Sequence, residues 1–142
     1  MLVKEIMTGE PAFARPETKI RDVAKMMADF SCGEIPVCDD RGVVGVITDR
    51  DIACRGFTQG LNPLDVSVRY IMTSGVVTIS ENETTDRALQ VMSDARIARL
   101  PVVRDGQLVG VVSASDLVEH MPDNKVAQLA RRIAHSRHLA TT

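Results

Sequence analysis

Two stretches of the chain place a hydroxyl group three residues before a carboxylate. The first stretch reads GVITDRD over residues 45–51, and the second reads GVVSASD over residues 110–116. In both, β-branched residues of the kind that form a buried strand precede the hydroxyl. Thr48 and Ser113 then stand where a helix N-cap is expected, and Asp51 and Asp116 fall in the first helical turn.

The start of a helix suits an anionic ligand, because its first N–H groups lack partners and the helix dipole is positive there. A hydroxyl can donate a hydrogen bond to a phosphate, and a carboxylate can accept two from a ribose diol. The motif therefore predicts two nucleotide-binding sites, one at each copy. A helix cap alone is the simpler interpretation of one copy, but two copies in register favour a ligand.

The similarity of the two halves extends far beyond the motif. At a constant offset of 65 residues, the run VKEIMT that begins at Val3 matches the run VRYIMT that begins at Val68. IPV at 35–37 matches LPV at 100–102, and no gap is needed from Val3 to His120. This internal duplication predicts two structurally equivalent repeats.

Hydrophobic periodicity predicts that each repeat runs strand, helix, strand, strand, helix. The elements expected in the first repeat are a strand at Ala12–Ala14, a helix at Ile20–Phe30 capped by Thr18, strands at Ile35–Cys38 and Val43–Ile47, and a helix at Asp49–Arg55. Those expected afterwards are a strand at Val76–Ile79, a helix at Thr85–Ala95, strands at Leu100–Val103 and Leu108–Val112, and helices at Ala114–Met121 and Lys125–His138.

These elements predict an α/β (α+β) protein with four segments. Repeat 1 covers residues 1–56, a connection rich in turn residues covers 57–67, repeat 2 covers 68–121, and a C-terminal helix and tail cover 122–142. Neither repeat is large enough to bury its sheet alone. We therefore expect the two β-α-β-β-α repeats to pack through their sheets with pseudo-twofold symmetry, leaving two clefts.

The composition argues against several classes of protein. Hydrophobic residues make up 44% and charged residues 25%, which is ordinary for a globular protein. Aromatic residues at 3% and a net charge of −2 argue against a nucleic-acid binder. No apolar run is long enough for a membrane helix, no signal-peptide core is recognisable, and three cysteines do not indicate a disulfide framework, so we expect a cytoplasmic protein.

Each half contains IMT, then IPV or LPV, then GV[IV][TS]xxD, and this order resembles a tandem pair of CBS domains, a Bateman module. The resemblance covers about residues 3–120, and the layout is similar to small standalone two-CBS proteins. It implies a non-catalytic regulatory module that binds an adenosyl ligand, with AMP, ADP, ATP, NAD-type dinucleotides and S-adenosylmethionine all open. It also implies a homodimer, and it leaves an unknown protein partner open.

By this resemblance, each cleft combines the motif of one repeat with the early strand and the pre-proline loop of the other. The residues implied for the first cleft are Thr48 toward phosphate and Asp51 on the ribose hydroxyls, with Val46, Arg50, Val76, Val77, Ile97, Ala98 and Arg99. Those implied for the second are Ser113, Asp116, Val111, Ser115, Pro11, Ala12, Cys32 and Gly33. Arg99 could pair with phosphate or form a surface salt bridge, whereas the matching Glu34 would repel phosphate, so we expect the first cleft to bind more tightly.

Two other classes of function stay open. The main alternative is a ligand-independent stress or protein-interaction protein that could contain a structural metal. His120, His135 and His138 with the three cysteines are the candidate ligands, but their spacing is not that of a metal site, and it is the resemblance to standalone two-CBS proteins that keeps zinc open. The basic residues between Lys125 and Arg137 could instead contact nucleic acid, but so few charges give weak support. No nucleophile with a neighbouring base is recognisable, so we do not expect an enzyme.

Overall fold

The computed structural model describes the backbone of residues 1–141 and the side chains of residues 1–135. Within it the chain divides into two compact units. One unit is the continuous stretch Ala12–Val76, and the other joins Met1–Pro11 to the chain from Val77 onward. A unit therefore does not coincide with one sequence repeat.

The chain contains both helices and strands, and most of them are short. The helices are α1 (Val3–Ile6), α2 (Ile20–Phe30), α3 (Asp49–Asp51), α4 (Thr85–Ala95), α5 (Ala114–His120) and α6 (Asp123–Thr141). The strands are β1 (Thr8–Gly9), β2 (Glu34–Asp39), β3 (Gly42–Thr48), β4 (Thr73–Ser74), β5 (Ile79–Ser80), β6 (Arg99–Arg104) and β7 (Gln107–Ser113). A π-helix at Ile52–Phe57 continues α3, and a 3-10 turn at Val68–Tyr70 precedes β4.

The Ala12–Val76 unit contains an antiparallel sheet in the order β2-β3-β4. α2 covers it, because Ile20, Val23 and Met27 recur at helical spacing and so share one buried face. Burial of these side chains and of the apolar residues of β2 and β3 stabilises the unit. The core residues are Ala14, Ile20, Val23, Met27, Ile35, Val37, Ile47, Val68 and Ile71.

The second unit contains a sheet in the order β1-β7-β6-β5, in which β5 runs parallel to β6 and the other pairs are antiparallel. α6, which lies outside both sequence repeats, contributes Val126 and Leu129 to the core. The core residues are Val3, Ile6, Ile79, Ala88, Met92, Leu100, Val102, Val112, Leu117, Val126 and Leu129.

The lead-in of each repeat completes the sheet of the other repeat. β1 pairs with β7, with Thr8 opposite Val111, and β4 pairs with β3 in the same way, with Thr73 opposite Val46. α1 accompanies β1 and buries Val3 fully in the core of the second unit. The exchange explains why the compact units differ from the sequence repeats.

The main helices follow the sequence prediction, and one predicted strand does not. The helices at Ile20–Phe30 and Thr85–Ala95 are confirmed with the expected bounds. The strand predicted at Ala12–Ala14 is wrong, because the described backbone forms a single isolated bridge there, from Ala14 to Val37. Prolines on either side of this segment cannot donate to a strand ladder, which limits the pairing.

Three other elements differ in extent from the prediction. The helix expected at Asp49–Arg55 changes from α to π geometry after Asp51. The strand expected at Val76–Ile79 is reduced to Ile79–Ser80. The last helix, which we expected at Lys125–His138, begins directly after Pro122 and is longer.

Thr18 does not cap α2. Lys19 occupies the N-cap without a side-chain hydrogen bond, and Thr18 Oγ1 instead accepts a hydrogen bond from the Arg15 amide at 2.9 Å. In the second repeat Thr84 does cap its helix, accepting a hydrogen bond from the Arg87 amide at 3.1 Å. The matching N-cap positions are thus Lys19, which provides no side-chain hydrogen bond, and Thr84, which does, while Thr18 stabilises the turn before its helix.

Candidate functional site

The first motif lies where β3 ends and α3 begins. The β-branched residues of β3 are partly or fully buried up to Thr48, whose extended backbone places it at the N-cap. Thr48 Oγ1 accepts a hydrogen bond from the Asp51 amide at 3.0 Å, and Asp51 Oδ2 accepts one from the Thr48 amide at 3.0 Å. This reciprocal capping box satisfies two backbone donors and holds both side chains in place.

The second motif has the same geometry. Ser113 Oγ accepts a hydrogen bond from the Asp116 amide at 3.1 Å, and Asp116 Oδ2 accepts one from the Ser113 amide at 2.8 Å. The helix-cap interpretation is thus confirmed for both copies. It does not exclude a ligand, because each carboxylate keeps its Oδ1 atom outside the box.

The two carboxylates differ in their surroundings. Asp51 is only 8% exposed, whereas Asp116 is half-buried. The Arg55 guanidinium lies beside Asp51, with Nε 3.9 Å from Oδ1. Hydrophobic periodicity places Arg55 only at the end of a predicted helix, yet Arg55 follows Asp51 by four residues, which is the spacing of an ion pair on a helix.

The loop of Cys32 and Gly33 runs directly beside the first motif, within the same unit. The Asp49 amide donates to the Gly33 carbonyl at 2.9 Å, and Glu34 lies opposite Thr48 in the β2–β3 pair. A Cβ atom on Gly33 would lie 2.7 Å from Asp49 Oδ2. The atom that it would meet is the end of an exposed side chain, which can rotate away, so the backbone hydrogen bond and not the glycine holds the loop against the helix start.

The corresponding loop of the other unit approaches the second motif in the same way. The Ala114 amide donates to the Ala98 carbonyl at 2.7 Å, and Arg99 lies opposite Ser113 in the β6–β7 pair. Arg99 is exposed, and Ile97 and Ala98 are half-buried. Each pre-proline loop thus contacts the motif of its own repeat.

The remaining predicted site residues are distributed over the two units. Those of the Ala12–Val76 unit are Val46, Val76, Ala12 and Cys32, which are half-buried, and Arg50, which is exposed. Those of the other unit are Val111 and Pro11, which are half-buried, and Val77 and Ser115, which are exposed. The assignment of all these residues to two clefts stays a prediction.

The described side chains provide little support for a metal centre or a reactive thiol. Among residues 1–135, no group of three or more His, Cys, Asp or Glu side chains is arranged to hold a metal ion. The side chain of His138 lies outside the described residues. Burial raises the pKa of the Cys38 thiol, which favours the unreactive protonated form.

None of the helices described is long and apolar enough to span a bilayer.

Comparison with known sequences places these motifs in a wider group. A family model described as CBS domain matches residues 3–55 and 68–137. Hypoxic response protein 1 of Mycobacterium tuberculosis is 27% identical over 139 residues, which cover 97% of each chain. The CBS domain-containing protein YhcV of Bacillus subtilis is 34% identical over 134 residues, covering 94% of this chain and 95% of the relative.

Solved structures agree with this result. A crystal structure of Hypoxic Response Protein I with two coordinated zinc ions has a TM-score of 0.79 and 27% identity, covering 86% of this chain and all of that one. The CBS domain pair of protein MJ0100, in complex with 5′-methylthioadenosine and S-adenosyl-L-methionine, has a TM-score of 0.72 and 31% identity, covering 84% and 94%.

Proposed function

From the premise that the chain belongs to the CBS domain family, we propose that it is a non-catalytic regulatory module that binds an adenosyl ligand. The binding residues in this proposal are the Thr48–Asp51 and Ser113–Asp116 pairs. The ligand classes are adenine nucleotides such as AMP, ADP or ATP, and adenosyl compounds such as S-adenosylmethionine.

The repeated hydroxyl–carboxylate pair is the observation that carries the proposal. In each copy one carboxylate oxygen is fixed by the capping box, so the other projects in a defined direction without the entropic cost of ordering a free side chain. A ribose diol can donate two hydrogen bonds to such a group. The MJ0100 domain pair, which holds two adenosyl compounds, supports this ligand class.

Charge near the motifs supports unequal affinity of the two sites for anionic ligands. Arg99 and Glu34 occupy matching strand positions, and each lies opposite the hydroxyl residue of a motif. A guanidinium attracts a phosphate and a carboxylate repels it. We propose Arg99 as a phosphate partner. Because Arg99 lies opposite Ser113 and Glu34 lies opposite Thr48, the charges beside the motifs favour anion binding at the second motif, and the tighter binding of the first cleft stays an expectation of the resemblance alone.

Regulation in this proposal is a shift of population. A ligand changes the balance between two arrangements of the protein only if its affinity for them differs. A second copy of the chain and a separate protein partner are the proposed recipients of the signal. The proposal thus includes a homodimer, an unidentified protein partner and a cytoplasmic location.

Calorimetric titration with AMP, ATP, NAD, 5′-methylthioadenosine and S-adenosylmethionine tests the proposal. Asp51→Asn and Asp116→Asn are the informative variants, because the amide oxygen can still accept the capping hydrogen bond while the charge is lost. Loss of a charged hydrogen bond to the diol should weaken binding at that motif by about 10- to 100-fold. The matched control is Asp105→Asn, at an exposed turn position with φ of 50°, which asparagine tolerates.

Two results would refute the proposal. One is the absence of heat and of thermal stabilisation with all five compounds. The other is binding that survives both Asp51→Asn and Asp116→Asn at full strength. The first result would direct attention to the alternative function.

The alternative is a ligand-independent stress or interaction protein with a structural metal. The zinc ions of the Hypoxic Response Protein I structure are the observation that favours it. The side chains described here do not by themselves form a zinc site. Elemental analysis of protein purified without chelators distinguishes the functions, because a structural zinc would be present in stoichiometric amount and resist dialysis.

A further inference from the structure

Among the side chains that the structure describes, Asp51 has a cationic neighbour that Asp116 lacks, and this neighbour contacts two parts of the unit. Arg55 lies with Nε 3.9 Å from Asp51 Oδ1, and its Nη1 donates to the Ile71 carbonyl at 3.2 Å and to the Met72 carbonyl at 3.5 Å. One guanidinium therefore connects the motif carboxylate to the segment that leads into β4.

The distance to Asp51 determines what this contact can do. At 3.9 Å the contact is an ion pair and is longer than a hydrogen bond, so the lone pairs of Oδ1 stay available to a ligand. The Asp51 side chain is 11% exposed and the Arg55 side chain 50% exposed. Because the carboxylate is shielded from water and the guanidinium is fixed at two carbonyls, the pair restrains the direction of Oδ1.

The contacted segment is itself well placed to respond. Ile71 is buried in the core, and β4 follows immediately and pairs with β3 just before Thr48. A change at Asp51 can thus reach β4 by two routes, through the backbone of β3 and through Arg55.

The second repeat does not reproduce this connection. The residue at the matching position is His120, whose Nδ1 donates to the Asp116 carbonyl at 2.8 Å. This contact stays within α5. Among the described side chains, no cation lies within ion-pair distance of Asp116.

We propose that Arg55 is a positioning residue of the first motif, which orients Asp51 for a ribose diol and transmits ligand occupancy to the Ile71–Ser74 segment. The inference rests on the proposed function and deepens it. By this inference the two motifs differ in how they transmit ligand binding. Among the described residues, a side chain connects the carboxylate of the first motif, Asp51, to the segment that pairs with β3, and no such side chain connects Asp116 to β1.

The test uses Asp116→Asn protein, in which only the first motif is intact, and AMP as the probe. Arg55→Ala should weaken AMP binding by about two- to five-fold, the range expected for a partly exposed ion pair. Binding of 2′-deoxy-AMP, which lacks the diol, should not change. Hydrogen exchange of peptides spanning residues 68–76 should slow on addition of AMP, and Arg55→Ala should abolish this effect.

Arg55→Lys separates the two roles. A single ammonium group can stay beside Asp51 but cannot also bridge the two carbonyls. We expect AMP affinity close to that of the parent protein together with loss of the exchange response. The matched control uses Asp51→Asn protein, in which only the second motif is intact. Residues 3–9 form the lead-in that completes the sheet of that motif. Because no hydrogen bond among the described residues joins His120 to this lead-in, His120→Ala should leave the hydrogen exchange of residues 3–9, with and without AMP, unaltered.

The outcomes distinguish this inference from the proposed function. Unchanged AMP affinity and an unchanged exchange response in Arg55→Ala would overturn the inference alone. An equal loss of affinity for AMP and 2′-deoxy-AMP would also overturn it, because the effect would not pass through the diol. If AMP, ATP, NAD, 5′-methylthioadenosine and S-adenosylmethionine all fail to bind the parent protein, the proposed function and this role of Arg55 fall together.

Discussion

Glu81 and Arg104 form a bidentate ion pair, with Oε1 2.6 Å from Nε and Oε2 3.0 Å from Nη2. Glu81 follows β5 and is only 6% exposed. Its carbonyl also accepts a hydrogen bond from the Lys4 amide at 3.0 Å, and its own amide donates to the Val103 carbonyl. The residue therefore connects α1, β5 and β6 at one point of the second unit.

This pair predicts sensitivity to acid. Hydrogen bonds from Arg104 hold the pKa of Glu81 below its ordinary value of 4.5. A carboxyl whose folded pKa is depressed stabilises the fold above its unfolded pKa, and this stabilisation is lost as the pH falls through the folded pKa. Glu81→Gln should therefore lower the melting temperature at pH 7, and the difference from the parent protein should shrink below about pH 4.5. A difference that is constant from pH 7 to pH 3 would contradict the assignment.

Two glycines permit the exchanged strands to approach. A Cβ atom on Gly45 would lie 2.6 Å from the Thr73 carbonyl oxygen, and one on Gly110 would lie 2.9 Å from that of Thr8. Because backbone atoms cannot move aside cheaply, Gly45→Ala and Gly110→Ala should each destabilise the protein by about 2 kcal/mol in urea unfolding. Gly9→Ala is the control, since no atom lies within 4 Å of its added Cβ, and its effect should stay within about 0.5 kcal/mol.

Glu10 adopts a left-handed backbone conformation, with φ of 50°. The matching residue of the other repeat is Gly75, with φ of 66°, so the same turn is made by glutamate in one copy and glycine in the other. The strain of a side chain in this region exceeds the extra entropy of glycine in the unfolded chain. Glu10→Gly should therefore stabilise the protein by about 0.5 kcal/mol, and Gly75→Glu should destabilise it by about 1 kcal/mol. Chemical denaturation of both variants measures the difference, and a loss of stability in Glu10→Gly would refute this account.

The C-terminal helix acts as part of the core. Leu129 of α6 is 1% exposed, and Lys125 forms a 3.0 Å ion pair with Asp86 of α4. Leu129→Ala should therefore destabilise the protein by about 2–4 kcal/mol. Arg131→Ala, at an exposed position, should have little effect on stability.

The basic residues of α6 allow the nucleic-acid-binding alternative to be tested. If α6 contacted a polyanion, binding would weaken steeply with salt and would depend on Arg131. We expect no salt-dependent binding of duplex DNA or single-stranded RNA. Fluorescence anisotropy with labelled oligonucleotides between low and physiological salt checks this expectation.

Much of the molecule can be deduced from the order of its residues. The offset of 65 residues identified two equivalent repeats, and α2 and α4 have the predicted bounds, because amphipathic spacing over eleven residues is a local signal. The hydroxyl and carboxylate of each motif lie three residues apart, so their reciprocal hydrogen bonds also depend on local geometry. These features are encoded within a few turns of chain.

The tertiary structure alone revealed the exchange of lead-ins and the contacts that Arg55 makes. β1 and β4 are two residues long and have no periodicity, so their partners depend on which sheet edge the folded chain brings near. Arg55 binds carbonyls sixteen and seventeen residues away, a contact that no spacing rule predicts. Short-range hydrogen bonding and hydrophobic periodicity are written in the sequence, whereas pairing between distant segments is selected by the packing of the whole unit.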